Sequence, residues 1–271
     1  MMPRNPCEKV KNKTKPVREK YRVAVFSGLD PGGGAGLVAD IQALTDAGVS
    51  IAPVITANTV QGPGVLSRFQ VTDPVLFNEQ ASLVLHFMNP DAVKIGMVGS
   101  ATILHILSEL LQKCPAEMPV ILDPVLSATS GGRLADPGLY RHIRSAAPQI
   151  TVLTPNRREM EWLSERQIST AEDLDCAVSE LTDTGFRAIL VKGGHFNGDP
   201  TDRLFLDGEV IRSWTGRRYS RSIRGTGCRL ASFLAGCMAK GISLVDSADQ
   251  AYAYVQSHIL NAIQSDPATR I

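Results

Sequence analysis

Residues 224–229 read Arg-Gly-Thr-Gly-Cys-Arg and run directly into a stretch of small residues typical of a packed helix. Gly225 and Gly227 allow a tight turn, and they leave bare the free N–H groups that begin a helix and can face an anion. Cys228 follows, where the helix dipole and the two flanking arginines are expected to favour its thiolate. The pattern predicts an anion-binding turn beside a base or nucleophile, with an ordinary turn and a core cysteine as the alternative. The candidate catalytic residues are Gly225, Thr226, Gly227 and Cys228.

A glycine-rich segment, residues 28–36, follows the first apolar run. Residues 34–39 satisfy a relaxed Gly-x-Gly-x-x-Ala dinucleotide fingerprint, but the glycines continue into the expected helix and the next strand ends without the acidic residue that would hold a ribose. A Walker loop is excluded because Gly-Lys occurs nowhere in the chain. The segment therefore predicts a backbone-lined pocket with Asp30 as a fixed acceptor, and its alternative is a flexible turn.

Polar side chains also follow four later apolar runs. Asp123 is placed for a metal–phosphate complex or for a simple cap, and Lys192 offers a cation to a phosphate. Asn156 and Glu159 are three residues apart, which fits either a helix capping box or a Mg²⁺ held through water. Met97 could support a flat ligand, although a core position is commoner for methionine. These runs predict phosphate and metal chemistry at one edge of a sheet.

The composition indicates a protein of the reducing cytoplasm without a membrane span or nucleic-acid partner. The 271 residues carry a formal net charge of +1, and residues 1–20 hold seven Lys or Arg against two Glu, so the remainder is slightly acidic. We expect residues 1–20 to be a disordered basic leader, since they lack the apolar region of a signal peptide. The five cysteines form no Cys-x-x-Cys pair, which disfavours both a disulfide framework and a zinc cluster.

Apolar runs alternate with helical patterns almost to the end of the chain, which predicts an α/β fold with a mostly parallel sheet and helices on both faces. A hairpin at 202–206 and 210–214 predicts an antiparallel edge. The loops after the parallel strands are where a ligand is expected. Strands are predicted at 21–27, 49–57, 91–95, 119–123, 150–153 and 187–191, and helices at 37–47, 73–87, 102–112, 157–163, 171–184, 226–239 and 243–265.

Seven segments in chain order resemble the ribokinase-like superfamily, specifically its hydroxymethylpyrimidine and phosphomethylpyrimidine kinases of thiamine biosynthesis. They are residues 28–36 with Ala39 and Asp40, Ile-Thr-Ala at 55–57 through Gln61, Lys-Ile-Gly-Met at 94–97, Asp-Pro-Val at 123–125, Thr-Pro-Asn at 154–156 with Glu159, Val-Lys-Gly-Gly-His at 191–195 and Gly-Thr-Gly-Cys at 225–228. One such segment is weak evidence, but seven in order are strong. The resemblance spans residues 21–265.

The resemblance implies a pyrimidine pocket, in which Gln61 would read the amino and nitrogen edge of the ring. The chain departs from the family pattern at Leu29, at Gly62-Pro63, at Thr129, at Arg224 in place of a usual His and at Arg229 in place of a usual small hydroxyl residue. The residues implied to line the pocket are Asp30, Gln61, Met97 and Val125.

The resemblance also implies an ATP and Mg²⁺ site. Asn156, Glu159 and Lys192 would serve ATP, and Asp123 and Glu159 would hold Mg²⁺. Cys228 would be the general base where most of the superfamily carries an aspartate. An alcohol acceptor must lose a proton, whereas a phosphate monoester is already largely dianionic. If Cys228 is the base, Cys228→Ser should therefore impair phosphorylation of the alcohol far more than that of the monophosphate.

We therefore expect a ribokinase-like three-layer α/β/α fold, with residues 21–271 as a single kinase domain in a cytoplasmic homodimer. Its expected activity is ATP-dependent phosphorylation of 4-amino-5-hydroxymethyl-2-methylpyrimidine and then of the monophosphate. Two alternatives remain at this point. A pyridoxal kinase would share every phosphate-binding segment, and a non-catalytic pyrimidine-binding regulator could use the same fold.

Overall fold

The computed structural model describes residues 21–62, 65–126, 138–195, 199–219 and 223–265. The strands of this part of the chain are β1 (Arg22–Leu29), β2 (Ser50–Gly62), β3 (Val65–Val71), β4 (Ala92–Ile95), β5 (Val120–Leu122), β6 (Val152–Leu153), β7 (Ala188–Val191), β8 (Thr201–Leu206) and β9 (Glu209–Thr215). Its α-helices are α1 (Gly36–Asp46), α2 (Pro74–Phe87), α3 (Ala101–Leu111), α4 (Leu139–Ser145), α5 (Arg157–Ser164), α6 (Ala171–Asp183), α7 (Thr226–Ala239) and α8 (Leu244–Gln264).

The strands form one mixed sheet in the order β3-β2-β1-β4-β5-β6-β7-β8-β9. The six strands from β2 to β7 in this order pair in parallel, and both edges are antiparallel. The chain adds β2 on one side of β1 and then returns to place β4 on the other side. Ligands of open α/β sheets bind at the carboxyl ends of the strands at such a reversal, which here lies between β1 and β4.

Helices cover both faces of the sheet, which confirms the predicted α/β fold class. Successive residues of β1 point to opposite faces, as expected for a strand. Ala24 and Phe26 join a buried cluster with α2 to α6. Val23 and Val25 join a second cluster with α1, α7 and α8. Two apolar cores therefore hold the central strands in place.

Local sequence signals explain where several elements begin. Asp73 caps α2, because its Oδ1 accepts from the N–H groups of Val75 and Leu76 at 3.1 and 3.0 Å, and Pro74 occupies the first helical position. The predicted hairpin is present as β8 and β9, joined by Asp207 and Gly208. The predicted helices and strands occur with ends shifted by a few residues in most cases.

Two elements were not predicted from the sequence, and β2 is longer than expected. Strand β3 pairs antiparallel with the extension of β2, but most of its side chains are exposed or half-buried, so it lacks the alternation that identifies a strand. Helix α4 has seven residues and only two buried side chains, too short a pattern to detect. The prediction placed one antiparallel edge on the sheet, and the structure has two.

The part of the chain that the structure describes includes no helix long and apolar enough to cross a bilayer. The leader predicted at residues 1–20 lies outside the described residues, as do Pro63 and Thr129.

Candidate active site

The loops at the carboxyl ends of the parallel strands enclose a cavity of about 460 Å³. All the residues singled out from the sequence line it, although they come from widely separated segments. They are Asp30, Gln61, Met97, Asp123, Val125, Asn156, Glu159, Lys192, Gly225, Thr226, Gly227 and Cys228. The structure therefore brings every candidate site residue to one place.

The turn at residues 225–227 packs against the glycine-rich segment 28–36. Gly225 has φ +74°, and a Cβ on it would lie 2.2 Å from the carbonyl oxygen of Gly34, so only glycine fits this contact. No side chain caps α7, and the N–H groups of its first turn have no acceptor within the helix. These groups border the cavity and are available to an anion.

A cluster of charges lies beside this turn. Lys192 Nζ is 2.7 Å from Asp123 Oδ1 and 3.6 Å from Glu159 Oε2. A Cβ on Gly227 would be 3.0 Å from the same Nζ, so the ammonium lies between the two carboxylates and the turn. Asn156 and Glu159 form the capping box of α5, with reciprocal hydrogen bonds of 3.1 and 2.7 Å.

Burial and mutual charge set the ionisation of this cluster. Burial raises the pKa of Glu159 to about 7, a rise that the charge of Lys192 opposes and that of Asp123 reinforces. Burial alone would lower the pKa of Lys192, but the charges of Asp123 and Glu159 outweigh it and raise that pKa above its usual range. The cluster thus contains a permanent cation between two carboxyl groups. A cation or phosphate that binds here would change the ion pairs among these three side chains.

The prediction that the surroundings of Cys228 favour its thiolate is wrong. Burial raises the pKa of Cys228 to about 12, and the charge of Lys94 opposes this only in part. The two flanking arginines, which the sequence suggested would favour the thiolate, are engaged elsewhere. Arg224 Nη2 pairs with Asp30 Oδ2 at 2.8 Å, and Arg229 Nη1 donates to the carbonyl of Gly34 at 3.3 Å.

Alkylation with iodoacetamide should report this protonated thiol directly. We expect the rate at Cys228 to rise about tenfold per pH unit up to pH 10 without a plateau, because the thiolate fraction grows throughout this range. Peptide mass mapping separates Cys228 from the exposed Cys176, which serves as the accessibility control. A plateau at Cys228 below pH 8 would contradict the raised pKa.

The other end of the cavity is lined by the predicted pyrimidine-pocket residues. Asp30 is buried, and its carboxylate accepts from the N–H groups of Gly32 and Ala35 at 2.9 and 3.1 Å in addition to pairing with Arg224. It therefore fixes the loop that forms the wall. Met97 packs in a small apolar cluster with Val125.

Beneath this wall lies a fully buried ion pair. Lys94 Nζ is 2.7 Å from Asp40 Oδ1, and Ser232 donates to the same oxygen at 2.8 Å. The pair joins β4 to α1 and α7, and neither Lys94 nor Asp40 lines the cavity itself.

Sequence reasoning missed the residues at the far side of the cavity, beyond Lys192. They belong to the β8–β9 region and to α8, which carry no recognisable motif and which the sequence placed only at the edge of the domain. Among them, the Asp202 Oδ1 accepts from the N–H of Gly193 at 2.6 Å and so shapes the loop after β7. The missed residues are Pro200, Asp202, Arg217, Arg218, Tyr219, Val255, Gln256 and Ile259.

Comparison with known proteins leads to one group of kinases. A family model described as phosphomethylpyrimidine kinase matches residues 30–269. The chain is 34% identical over 237 residues to the hydroxymethylpyrimidine/phosphomethylpyrimidine kinase of Rhizobium meliloti, covering 86% of this chain and 88% of that protein.

Solved structures give a similar result. The phosphomethylpyrimidine kinase from Clostridium difficile has a TM-score of 0.76 at 27% identity, covering 89% of this chain and all of the other. The pyridoxal kinase from Staphylococcus aureus in complex with AMP-PCP has a TM-score of 0.79 at 26% identity, covering 88% and 87%. Fold similarity alone does not separate these two activities.

Proposed function

The chain belongs to the phosphomethylpyrimidine kinase family and is a hydroxymethylpyrimidine/phosphomethylpyrimidine kinase, and we propose that its cavity binds the pyrimidine and ATP at opposite ends. The pyrimidine binds at the end lined by Asp30, Gln61, Met97 and Val125, and ATP binds at the end lined by Asn156, Glu159 and Lys192. The phosphoryl group passes between them at the turn formed by residues 225–228. All these residues line one cavity, and this supports the proposal.

Phosphoryl transfer needs positioning and neutralisation of charge more than covalent help, and the cavity offers both. The backbone N–H groups of the turn are available to an anion, and the Lys192 ammonium lies beside Gly227. The pyrimidine end is held rigidly because the Asp30 carboxylate fixes its loop through two backbone hydrogen bonds. We propose that the turn and Lys192 together hold the transferring phosphoryl group.

The residues present fit a Mg²⁺ ion. Asp123 and Glu159 place two carboxyl groups around a single cationic nitrogen, which shows that they converge closely enough to share a cation. Within the described residues no group of three or more acidic, His or Cys side chains could bind a metal, so phosphate oxygens and water would complete the shell, as is usual for Mg²⁺. When bound, the ion would neutralise charge on the phosphates during transfer.

An acceptor panel tests this function. We expect the purified full chain to form ADP from ATP with hydroxymethylpyrimidine and with its monophosphate, at kcat/KM values at least about tenfold above that for pyridoxal. Pyridoxal is the second candidate because a pyridoxal kinase is as similar in fold as the pyrimidine kinase. A preference for pyridoxal would overturn the substrate assignment, and no ADP with any acceptor would favour a non-catalytic pyrimidine-binding protein.

Replacing Gln61 by alanine should weaken pyrimidine binding selectively. Its amide lines the cavity at the end of β2 and can both donate to and accept from a heteroaromatic edge. We expect a loss of about 1–3 kcal/mol in the binding of the pyrimidine, with the affinity for ATP unchanged, measured by calorimetry. Thr59, which lines the same wall but donates its hydroxyl to the carbonyl of Leu29 at 2.8 Å, provides the control variant Thr59→Val. Equal losses for ATP and pyrimidine would contradict this placement.

The protonated state of Cys228 changes its proposed role from base to positioning group. Because burial raises the pKa of Cys228 to about 12, the thiol is protonated at pH 7 and no resting thiolate is available as a base. We propose that the thiol contacts the acceptor and that the loose transition state makes little demand on proton removal.

Replacing Cys228 by serine should therefore slow both phosphorylations to a similar and small extent, by less than about tenfold. Single-turnover rates with the alcohol and with the monophosphate measure the two steps separately. A loss of about 10² or more confined to the alcohol would restore the base assignment that the sequence suggested.

We also propose that the enzyme works as a cytoplasmic homodimer of one kinase domain, with residues 1–20 dispensable for catalysis. Exposed apolar side chains along α2 support self-association, since a second copy would cover them. They are Val75, Leu76, Leu83 and Phe87. Light scattering by the full chain, with and without residues 1–20, measures the mass of the assembly.

A further inference from the structure

Arg229 is a buried cation whose direct partners are neutral. Only 5% of the residue is exposed, and its guanidinium donates to the carbonyl oxygen of Gly34 at 3.3 Å and to the amide oxygen of Gln42. Its Nε is buried without a hydrogen-bond partner. Within the part of the chain that the structure describes, the ion pairs include none to Arg229. Burying a charge in this way is unfavourable unless something supplies a counter-charge.

The titratable groups around Arg229 do not supply that counter-charge from the interior. Burial, and after it the charge of Arg229, lowers the pKa of His258, which is therefore neutral at pH 7. Burial and a hydrogen bond to Asp46 raise the pKa of Tyr254 to about 12, although the charge of Arg229 and a side-chain interaction with it oppose the rise, so the phenol beside Arg229 is also neutral. Asp46 is exposed and accepts from the Tyr254 hydroxyl at 2.8 Å. Asp46 is thus a solvated carboxylate that is linked to Arg229 through the Tyr254 hydroxyl and does not pair with it directly.

On its opposite side Arg229 contacts the anion-binding turn. A Cβ on Gly225 would lie 2.7 Å from Arg229 Nη1, and the N–H of Arg229 donates to the carbonyl of Gly225 at 2.9 Å. Since successive Cα atoms are about 3.8 Å apart, an anion bound by the N–H groups of residues 225–227 lies within about 10 Å of the guanidinium. Arg229 does not line the cavity itself, so its charge would act on an anion at the turn without contacting it.

We propose that Arg229 is a positioning residue whose charge, which no carboxylate pairs directly, strengthens the turn at residues 225–227 as a site for phosphate, and so favours the monophosphate substrate over the alcohol. The inference rests on the proposed function for the identity of the two pyrimidines, but not for the effect on phosphate itself. Arg224 does not share this role, because Asp30 already neutralises it at 2.8 Å.

The expected effect is large enough to measure. With an effective dielectric constant of about 20, a unit charge within about 10 Å of an anion changes the affinity by roughly tenfold. The alcohol carries no charge and should not respond. The discriminating quantity is thus the ratio of the dissociation constants of the two pyrimidines, rather than either constant alone.

Calorimetry on the full chain without ATP tests the proposal with three ligands: hydroxymethylpyrimidine, its monophosphate and inorganic phosphate. For Arg229→Gln we expect Kd to rise about tenfold for the two phosphate-bearing ligands and to remain unchanged for the alcohol. Arg229→Lys keeps the charge and should retain most of the phosphate affinity. Gln42→Ala removes one hydrogen-bond partner and leaves the charge, so it should resemble the wild type for all three ligands.

Equal losses for the alcohol and the monophosphate would overturn the proposal, because they would indicate a packing role for Arg229. Arg229→Lys binding phosphate as poorly as Arg229→Gln would also overturn it, since the charge would then not be the operative property. If a thermal melt shows that Arg229→Gln does not fold, Arg229→Thr replaces it, because this variant also removes the charge and is judged by the same criterion. If the wild type binds neither pyrimidine, the proposed function fails, and inorganic phosphate alone still tests Arg229.

Discussion

Replacement of Lys192 by methionine should lower kcat by about 10²–10³-fold, the loss typical of removing a preorganised group that stabilises developing charge. Its ammonium lies beside Gly227 of the turn and between the carboxyl groups of Asp123 and Glu159, 2.7 and 3.6 Å from their oxygens. Steady-state ADP formation with saturating ATP and either pyrimidine measures the effect.

The variant should also be less stable, by about 3–5 kcal/mol, because it leaves two buried carboxyl groups without their cation. Lys94→Met provides the matched control. Lys94 is fully buried and is likewise 2.7 Å from its partner Asp40, but it does not line the cavity. We expect a comparable loss of stability and less than about a tenfold loss of kcat. Equal kcat losses in the two variants would show that Lys192 acts through the fold alone.

Replacement of Gly225 by alanine should lower kcat/KM by about 10² or more for both pyrimidines, because the turn would be displaced from the position that binds the phosphoryl group. Its φ of +74° costs an alanine about 1–2 kcal/mol, and the new Cβ would lie 2.2 Å from the carbonyl oxygen of Gly34, a backbone atom that cannot move aside easily.

Replacement of Gly241 separates the cost of the left-handed backbone conformation from the effect of the steric clash. Gly241 has a similar φ of +78°, and a Cβ there would contact nothing within 4 Å. Gly241→Ala should therefore lose about 1 kcal/mol of stability and retain its kinetics. If Gly225→Ala retained its kinetics as well, the contact between the turn and the segment at 28–36 would have no part in catalysis.

The sequence predicted most of the site because the site residues follow parallel strands, whose carboxyl ends must meet. Asp30, Met97 and Asp123 follow β1, β4 and β5, so the order of alternating elements was enough to bring them together. Strand β3 and helix α4 escaped prediction because few of their side chains are buried, and burial is what creates the periodicity that identifies an element.

The ionisation of the site could not be predicted, since it depends on burial and on long-range pairs. Nothing in the local sequence of Cys228 shows that Arg224 pairs with Asp30, 194 residues away, or that Cys228 is only 9% exposed. The capping box at Asn156 and Glu159 was one of two predicted alternatives, and the structure shows it formed. The same Glu159 also approaches Lys192, so this box does not exclude a role toward a metal.

We propose that both phosphorylations take place in the one cavity. The most direct test is the product time course when the full chain, ATP and hydroxymethylpyrimidine are mixed, followed by chromatography, together with inhibition of the first step by added monophosphate. We expect monophosphate to appear before diphosphate and added monophosphate to compete with the alcohol, because both must occupy the pocket beside residues 225–228. Noncompetitive inhibition, or monophosphate that accumulates without ever becoming diphosphate, would contradict it.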